Sequence, residues 1–473
     1  MMLQREISAI RKKEEPMNRD MTQGKPFSTI LWFALPLFIG SVFQLFYNMV
    51  DSIVVGRFVG SDALAAVGAC SSPYAFVTSL VLGFANGSGV IIAQIFGSGD
   101  REKLRRSYIT GCKVIFITGI CFTLIGLLVT RPLLFVMQTP DNVFGEAVSY
   151  MMIMCAGILA TCLYNMMAAF LRAVGNSVVP LIALIISSLI NIVLDLAFVL
   201  AAGMDVKGVA LATVLAQLIS GIYCLVYLRR KMPELKFTRR EFKIDRSMSS
   251  EMVRIAIPAA FSTSIVSLST ILIQSAVNLH GSTVMAAYTA GLRAEQVCTC
   301  LAYSIGQATG VFCGQNIGAG DQKRTMKGLY AGLIISLIYT LIMGALLYVC
   351  GGFLIGLFST SAEVIEIGTG MVRVTALFVP VLGLLFCFQH FLRNVSDVRP
   401  TVWMSCCEIA ARGILPFVFS SIWGYAGIWW ATPVGWSSSL LIGILRYRSG
   451  KWKQMAKFGK KEIVIEQPSV PLE

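Results

Sequence analysis

Three polar side chains recur at spacings of four and three residues inside an apolar run: Gln44, Asn48 and Asp51, in Gln44-Leu-Phe-Tyr-Asn-Met-Val-Asp51-Ser-Ile-Val-Val-Gly56. On a helix they share one face, while Leu45, Val50 and Ile53 lie elsewhere on the cylinder. The run is long enough to cross a bilayer. A carboxylate at that depth costs about 3 kcal/mol or more and must face protein or water, which makes Asp51 a functional-site residue by default. A second carboxylate, Asp195, follows Asn191 by four residues, and Gln217 follows Thr213 by four, so each pair shares a helix face. If these faces meet that of Asp51, two carboxylates, two amides and a hydroxyl surround one small volume. Such an oxygen-rich set suits a hard cation such as sodium. It suits a proton equally, since two neighbouring carboxylates are not both ionised cheaply and the pair can carry one. The competing role is a helix-to-helix hydrogen-bond network without cargo, against which stands the rarity of buried aspartate in membrane helices.

The elements that must hold these residues are membrane-spanning helices. Of 473 residues, 56% are hydrophobic and 14% charged, and the mean hydropathy is +0.73. A span needs about 20 apolar residues. The apolar segments number about twelve, at 27–56, 62–97, 106–131, 146–170, 177–202, 207–228, 250–279, 283–317, 327–350, 364–392, 401–422 and 425–446. The fold class is therefore an all-α membrane protein. Its net charge of +14 would suggest nucleic acid in a soluble protein, but the basic residues alternate by loop. The N-terminal tail, the 101–106 loop, Arg172, the 229–246 segment, Lys323-Arg324-Lys327, Arg393 with Arg399 and the C-terminal tail hold most of them, whereas the intervening loops hold Arg57, Arg131 and Lys207. This positive-inside pattern predicts an even number of crossings, both termini in the cytoplasm and a place in the cell membrane. Nucleic-acid binding is not expected. The first 26 residues lack an apolar core followed by a small-residue cleavage site, so no signal peptide is expected. The thirteen cysteines are scattered at spacings that match no zinc site.

The chain is written twice. Phe33-Ala-Leu-Pro36 and Gly97-Ser-Gly-Asp-Arg-Glu-Lys103 have counterparts in Ile255-Ala-Ile-Pro258 and Gly318-Ala-Gly-Asp-Gln-Lys-Arg324. Gln94 falls against Gln315, Gly60-Ser61 against Gly281-Ser282, and Phe170-Leu-Arg-Ala-Val-Gly-Asn176 against Phe391-Leu-Arg-Asn-Val-Ser-Asp397, all at one offset. A duplication of six helices accounts for this. Because six is even, the halves are parallel repeats related by an axis along the membrane normal. The domains follow: a cytoplasmic tail over 1–26, an N-lobe over 27–228, a basic cytoplasmic linker over 229–249, a C-lobe over 250–446 and a cytoplasmic tail over 447–473.

Where the repeat breaks, the lobes have specialised. Asp51 has an aliphatic counterpart at Leu272 or Ile273, Asp195 aligns with Pro416, and Asn191 with Arg412. The second lobe instead carries Arg293, Glu295, Arg373, Glu408 and Arg412, mixed in sign, with Glu408 and Arg412 spaced for an intrahelical ion pair. Glu295 is placed either to face the central cavity or to pair with Arg373. Tyr47, Gln44, Gln217, Glu295, Gln274, Arg293 and Arg373 are the substrate-cavity candidates, in a chain whose many Met and aromatic residues suit an adaptable apolar cavity. His280 and His390 have no acid or nucleophile nearby in sequence, and no HExxH is present, so an enzyme is not expected.

Together, the run from Pro36 through Asp51 to Gly56, Gly60-Ser-Asp-Ala-Leu-Ala-Ala66, Gly87-Ser-Gly89, the Gly97 to Lys103 loop, Leu171-Arg-Ala-Val-Gly-Asn176 and Gly208-Val-Ala-Leu-Ala-Thr213 resemble the MATE (multidrug and toxic compound extrusion) family of efflux antiporters. The resemblance covers nearly the whole chain between the tails. It implies twelve helices in two six-helix lobes and export of organic cations in exchange for sodium ions or protons, with no other cofactor. It places the family's first-lobe acidic site on Asp51, Asn191, Asp195 and Thr213, and makes Pro36 the proline at which the first helix bends. The glutamate of the seventh helix and aspartate of the tenth that mark the NorM-like branch are missing here; Arg373 occupies the tenth. A DinF-like arrangement, with coupling in the first lobe, is therefore implied. The expected function is secondary active efflux of cationic, amphipathic small molecules by alternating access, carried out by a monomer in the bilayer. The alternative is a flippase for a lipid-linked saccharide or lipid precursor, whose pyrophosphate the C-lobe arginines would meet. A major-facilitator protein is disfavoured because Gly99-Asp100-Arg101 is not followed by the glycine that pattern requires.

Overall fold

The computed structural model describes residues 20–235 and 245–456, and the side chains of all of these except Asn48, Ser52, Ser61 and Glu234. Most of the tails and the 236–244 part of the 229–249 linker lie outside the described residues. The described residues are almost entirely helical: α1 (Pro26–Val54), α2 (Ser61–Ser98), α3 (Arg101–Val136), α4 (Asp141–Ala156), α5 (Ile158–Ala173), α6 (Val178–Leu196), α7 (Asp205–Lys231), α8 (Arg246–Asn278), α9 (Ser282–Gly318), α10 (Gln322–Gly356), α11 (Ala362–Asn394), α12 (Val398–Trp423), α13 (Tyr425–Arg448) and the short α14 (Trp452–Met455). Among the described residues eleven spans are long and apolar enough to cross a membrane, and α4 with α5, bent by 44°, makes the twelfth. Large apolar side chains such as Leu128, Val136, Val349 and Phe353 stand outward, as a bilayer-facing surface requires.

The repeated loop motifs have a physical cause. Gly99 (φ 76°) and Gly320 (φ 73°) adopt the left-handed conformation that follows a helix end, where any other residue is strained. The aspartates that follow then cap the next helices: Asp100 Oδ1 accepts from the Lys103 N–H at 2.9 Å, and Asp321 Oδ1 from the Arg324 N–H at 2.9 Å. One sharp turn written twice explains why Gly-x-Gly-Asp occurs at matched positions.

The apolar cores follow the two halves with an exchange. Ile30, Phe33 and Ala34 of α1 are buried among α9, α10 and α11 of the second half, while Met248, Met252 and Ile255 of α8 are buried among α3 and α5 of the first. Each half thus lends the first turns of its opening helix to the other. These turns lie at the end of the bundle where residues 20 and 456 and the basic loops gather, called here the basic end.

The same end carries the closest approaches between halves. A Cβ on Gly97 would sit 1.8 Å from the carbonyl oxygen of Gln315, and one on Gly318 would sit 1.7 Å from that of Gln94. The Gln94 amide donates to the Asn394 carbonyl at 2.7 Å, and the Gln315 amide donates to the Ala173 carbonyl at 2.7 Å. Every member of the first set is the repeat partner of a member of the second, so a two-fold axis along the bundle passes between α2 and α9. Further along, Gly87 and Gly83 admit the backbone of Ala256 and Ala260. The bundle is thereby held shut at its basic end.

A buried ion pair pins α13 to the start of α12. Arg446 donates to the Asp397 carboxylate from Nε at 2.6 Å and from Nη2 at 3.1 Å, and Asp397 is 1% exposed. Removing one partner strands a buried charge, which costs about 3 kcal/mol. Arg446→Met is therefore expected to lower the Tm of the detergent-solubilised protein by several degrees, measured by thermal unfolding, with Asp397→Asn in the same chain restoring much of it.

Candidate functional site: a buried carboxylate pair

Asp51 and Asp195 come together. Asp51 lies in the last turn of α1, Asp195 in the last turn of α6, and each helix continues at once into a π-helical turn, Val55–Val59 and Ala197–Ala201. The two π turns touch each other. Such turns interrupt the regular hydrogen-bond ladder and recur at functional sites. Here they end both acid-bearing helices at the same level, and α1 packs along α6 while α7 packs along α6.

The carboxyl groups of Asp51 and Asp195 lie within hydrogen-bonding reach of one another. Asp195 and Asn191 are fully buried. With the Asn191 amide oriented so that its nitrogen donates to Asp195 Oδ2 at 3.0 Å, its oxygen accepts from the Thr213 backbone N–H at 3.3 Å, and both ends of the amide are satisfied. The Oδ1 atoms of Asp51 and Asp195 are buried without a donor. Two carboxyl groups can hydrogen-bond only when a proton lies between them, so the contact itself is a proton-holding geometry.

A tyrosine cluster walls the pair. The Tyr47 hydroxyl, one turn before Asp51, is hydrogen-bonded to Thr213 and neighbours both aspartates and Tyr74. Tyr150 neighbours Asp51, Tyr47 and Tyr74, and the Tyr74 hydroxyl lies 3.5 Å from Thr161 Oγ1. Sequence reasoning reached Tyr47 and missed Tyr74 and Tyr150. The signal was there in principle, because a tyrosine buried in an apolar span needs a partner for its hydroxyl. No spacing rule, however, connects three different helices. Gly157, at the bend between α4 and α5, explains how Tyr150 reaches the site: a Cβ there would meet the Val214 side chain at 2.2 Å, so only glycine lets this span lie against α7 beside Thr213.

The remaining candidates are placed as follows. Gln217 is partly buried on α7 with its Oε1 lacking a donor, Gln44 is half-buried on α1, and the Asn48 side chain lies outside the described residues. Pro36 sits within α1. In the second half, Gln274 donates to Asn278 at 2.8 Å, and the exposed Arg293 reaches Gln296 at 3.5 Å. Arg373 does not pair with Glu295; it lies over the Tyr348 ring at 5.6 Å, where cation–π attraction holds it. Glu295 instead neighbours Arg412 and Glu408. Arg412 is held by Glu408 at 3.1 Å and donates to Ser269 at 3.2 Å. The second half thus fills the position matching Asn191 with a neutralised ion pair, and the first half keeps two acids with no cationic partner among the described residues.

Comparison with known proteins matches the two halves separately. The MatE family model matches residues 36–197 and again 258–417, once in each half. The probable multidrug resistance protein YpnP of Bacillus subtilis is 28% identical over 93% of this chain and 99% of its own length. YoeA of the same organism, also described as a probable multidrug resistance protein, is 29% identical over 89% and 93%. A MOP superfamily transporter from Pyrococcus furiosus superposes with a TM-score of 0.84 at 21% identity, covering 92% of this chain and 98% of that one.

Proposed function

The chain belongs to the MatE family, whose members are membrane transporters of small molecules and not enzymes, and from that premise we propose that it exports amphipathic organic cations and other xenobiotics in exchange for protons. The multidrug names of its relatives support the substrate class. The Asp51–Asp195 contact is the observation that carries the coupling: it holds a proton as it stands, whereas a sodium ion would have to part the two groups before it could enter. Asn191 fixes the orientation of Asp195, and Thr213 with Tyr47 fixes the wall opposite. Protonation from outside would favour one arrangement of the first lobe and substrate the other, which is what exchange through a two-state element requires. Pro36, which removes one hydrogen bond from α1, is the point at which that helix would bend. Tyr47, Gln44 and Gln217 would line the substrate path on the first lobe, and Glu295 on the second.

In this reading the basic end is cytoplasmic, coupling resides in the first lobe as in a DinF-like arrangement, the lobes extend over 27–228 and 250–446, and the monomer is the working unit. A lipid-precursor flippase gains no support, since Arg412 is already neutralised by Glu408 and Arg373 is engaged with Tyr348. The test is uptake of a fluorescent organic cation into everted vesicles with sodium and pH gradients imposed separately. A pH gradient alone should drive uptake and a sodium gradient alone should not. Uptake driven by sodium alone would reassign the ion, and uptake indifferent to both would end the antiport proposal.

A further inference from the structure

A second charged cluster, far in sequence from the aspartates, lies on the two-fold axis between the lobes. It is built around Arg172, in the last turn of α5, and its repeat partner Arg393, in the last turn of α11. Both guanidinium groups line one cavity of about 30 Å³ together with Asn86, its repeat partner Gln307, His390 and Asn394. Arg172 makes a long contact to Asn86 Oδ1 at 3.4 Å. Arg393 is 6% exposed, and its Nε is buried without an acceptor.

No carboxylate answers these charges among the described residues. The ionisable groups near Arg172 are Tyr164, Tyr303 and Cys224, and near Arg393 Tyr303 and His390. Asp397, four residues beyond Arg393, is already held by Arg446 at 2.6 Å. Two of the lining carbonyls are also occupied: Ala173 O accepts from Gln315 and Asn394 O from Gln94. Two guanidinium groups at one cavity, that of Arg393 buried and that of Arg172 half-buried, one on each lobe, repel each other unless something negative sits between them.

We propose that this cavity binds a small inorganic anion, by size a chloride ion, bridging Arg172 and Arg393 on the axis of the lobes. A cavity of about 30 Å³ has room for about two water molecules on the same measure, which suits a monatomic anion and is too small for sulfate. Because the two arginines belong to different lobes, the bound ion turns a repulsion across the interface into an attraction. It therefore favours the arrangement closed at the basic end, and its departure favours the lobes parting there. The site does not depend on which cation the aspartates take.

The experiment uses the full-length protein purified without chloride. Titration with sodium chloride against sodium gluconate at fixed ionic strength should give a saturable rise in Tm of roughly 2–4 °C with chloride and none with gluconate or sulfate. Arg393→Gln should abolish that difference. Because this variant could fail to fold, bromide is also soaked into crystals of the unaltered protein, where its anomalous signal should appear between the two guanidinium groups. Equal Tm curves in chloride and gluconate, or bromide bound elsewhere but not here, would overturn the proposal.

Discussion

Asp195→Asn, and separately Asp51→Asn, should lower ion-driven efflux by roughly 100-fold, the upper end of ordinary coupling free energies, while the protein stays folded. Asparagine has the shape of a protonated aspartate and can donate permanently to the remaining carboxylate. The contact between α1 and α6 is then kept, and the ability to gain and lose a proton is removed. Folding should not suffer, because each substitution removes an ionisable group from a site where Asp195 is fully buried and Asp51 half-buried and where no cationic partner is found among the described residues. Efflux from everted vesicles, read beside the Tm of the purified variants, separates the two effects. An unaltered transport rate in the Asp51→Asn, Asp195→Asn double variant would end the proposal, as would a loss of activity that merely follows loss of folded protein. Tyr47 and Asn191 are expected to behave differently. They orient the pair without carrying the proton, so Tyr47→Phe and Asn191→Ala should reduce the rate and leave the dependence on the imposed gradient.

The acid pair was legible in the sequence because membrane burial makes carboxylates conspicuous and because duplication supplies an internal control. Asp51 and Asp195 have apolar counterparts at Leu272 or Ile273 and at Pro416, and that asymmetry reinforced what their place in apolar runs suggested. The twelve spans were legible for the same reason that hydropathy works at all: the bilayer demands long apolar runs, and the helices overshoot those runs mainly at their ends. What escaped was whatever depends on the third dimension. The π turns after Asp51 and Asp195 carry no sequence mark, since Val55–Val59 and Ala197–Ala201 read as ordinary apolar helix. The contribution of Tyr150 needed the bend at Gly157. Of the two placements left open for Glu295, pairing with Arg373 fails, because spacing shows which residues share a helix face and not which neighbouring helix that face meets; the carboxylate neighbours Arg412 on α12, and Arg373 lies over Tyr348. The matched glutamines and glycines were seen as evidence of duplication, but that Gln94 and Gln315 clasp opposite lobes followed only from their placement.

That clasp supports the second large effect, which falls on the conformational cycle. Gly97→Val should disfavour the arrangement closed at the basic end by roughly 10–100-fold, the range that corresponds to an overpacking cost of about 1–3 kcal/mol. The new Cβ would lie 1.8 Å from the Gln315 carbonyl oxygen and 2.6 Å from its carbon. Backbone of α9 cannot yield as a side-chain tip would, and Gln315 is itself tied to Ala173 and to the Met21 N–H. The clash exists only where the lobes meet, so each lobe should fold normally and the strain should be relieved by the lobes parting. Spin labels at Gln138 and Ser361, in exposed loops at the opposite end of the bundle, should then report shorter distances than in the unaltered protein, and efflux should fall at least about tenfold, because an exporter needs both arrangements in turn. Gly145→Ala is the control: nothing lies within 4 Å of a Cβ there, so neither reading should change. Unchanged label distances and full efflux in Gly97→Val would mean that α2 and α9 do not hold the gate, and closure would have to rest on the exchanged first turns of α1 and α8 alone.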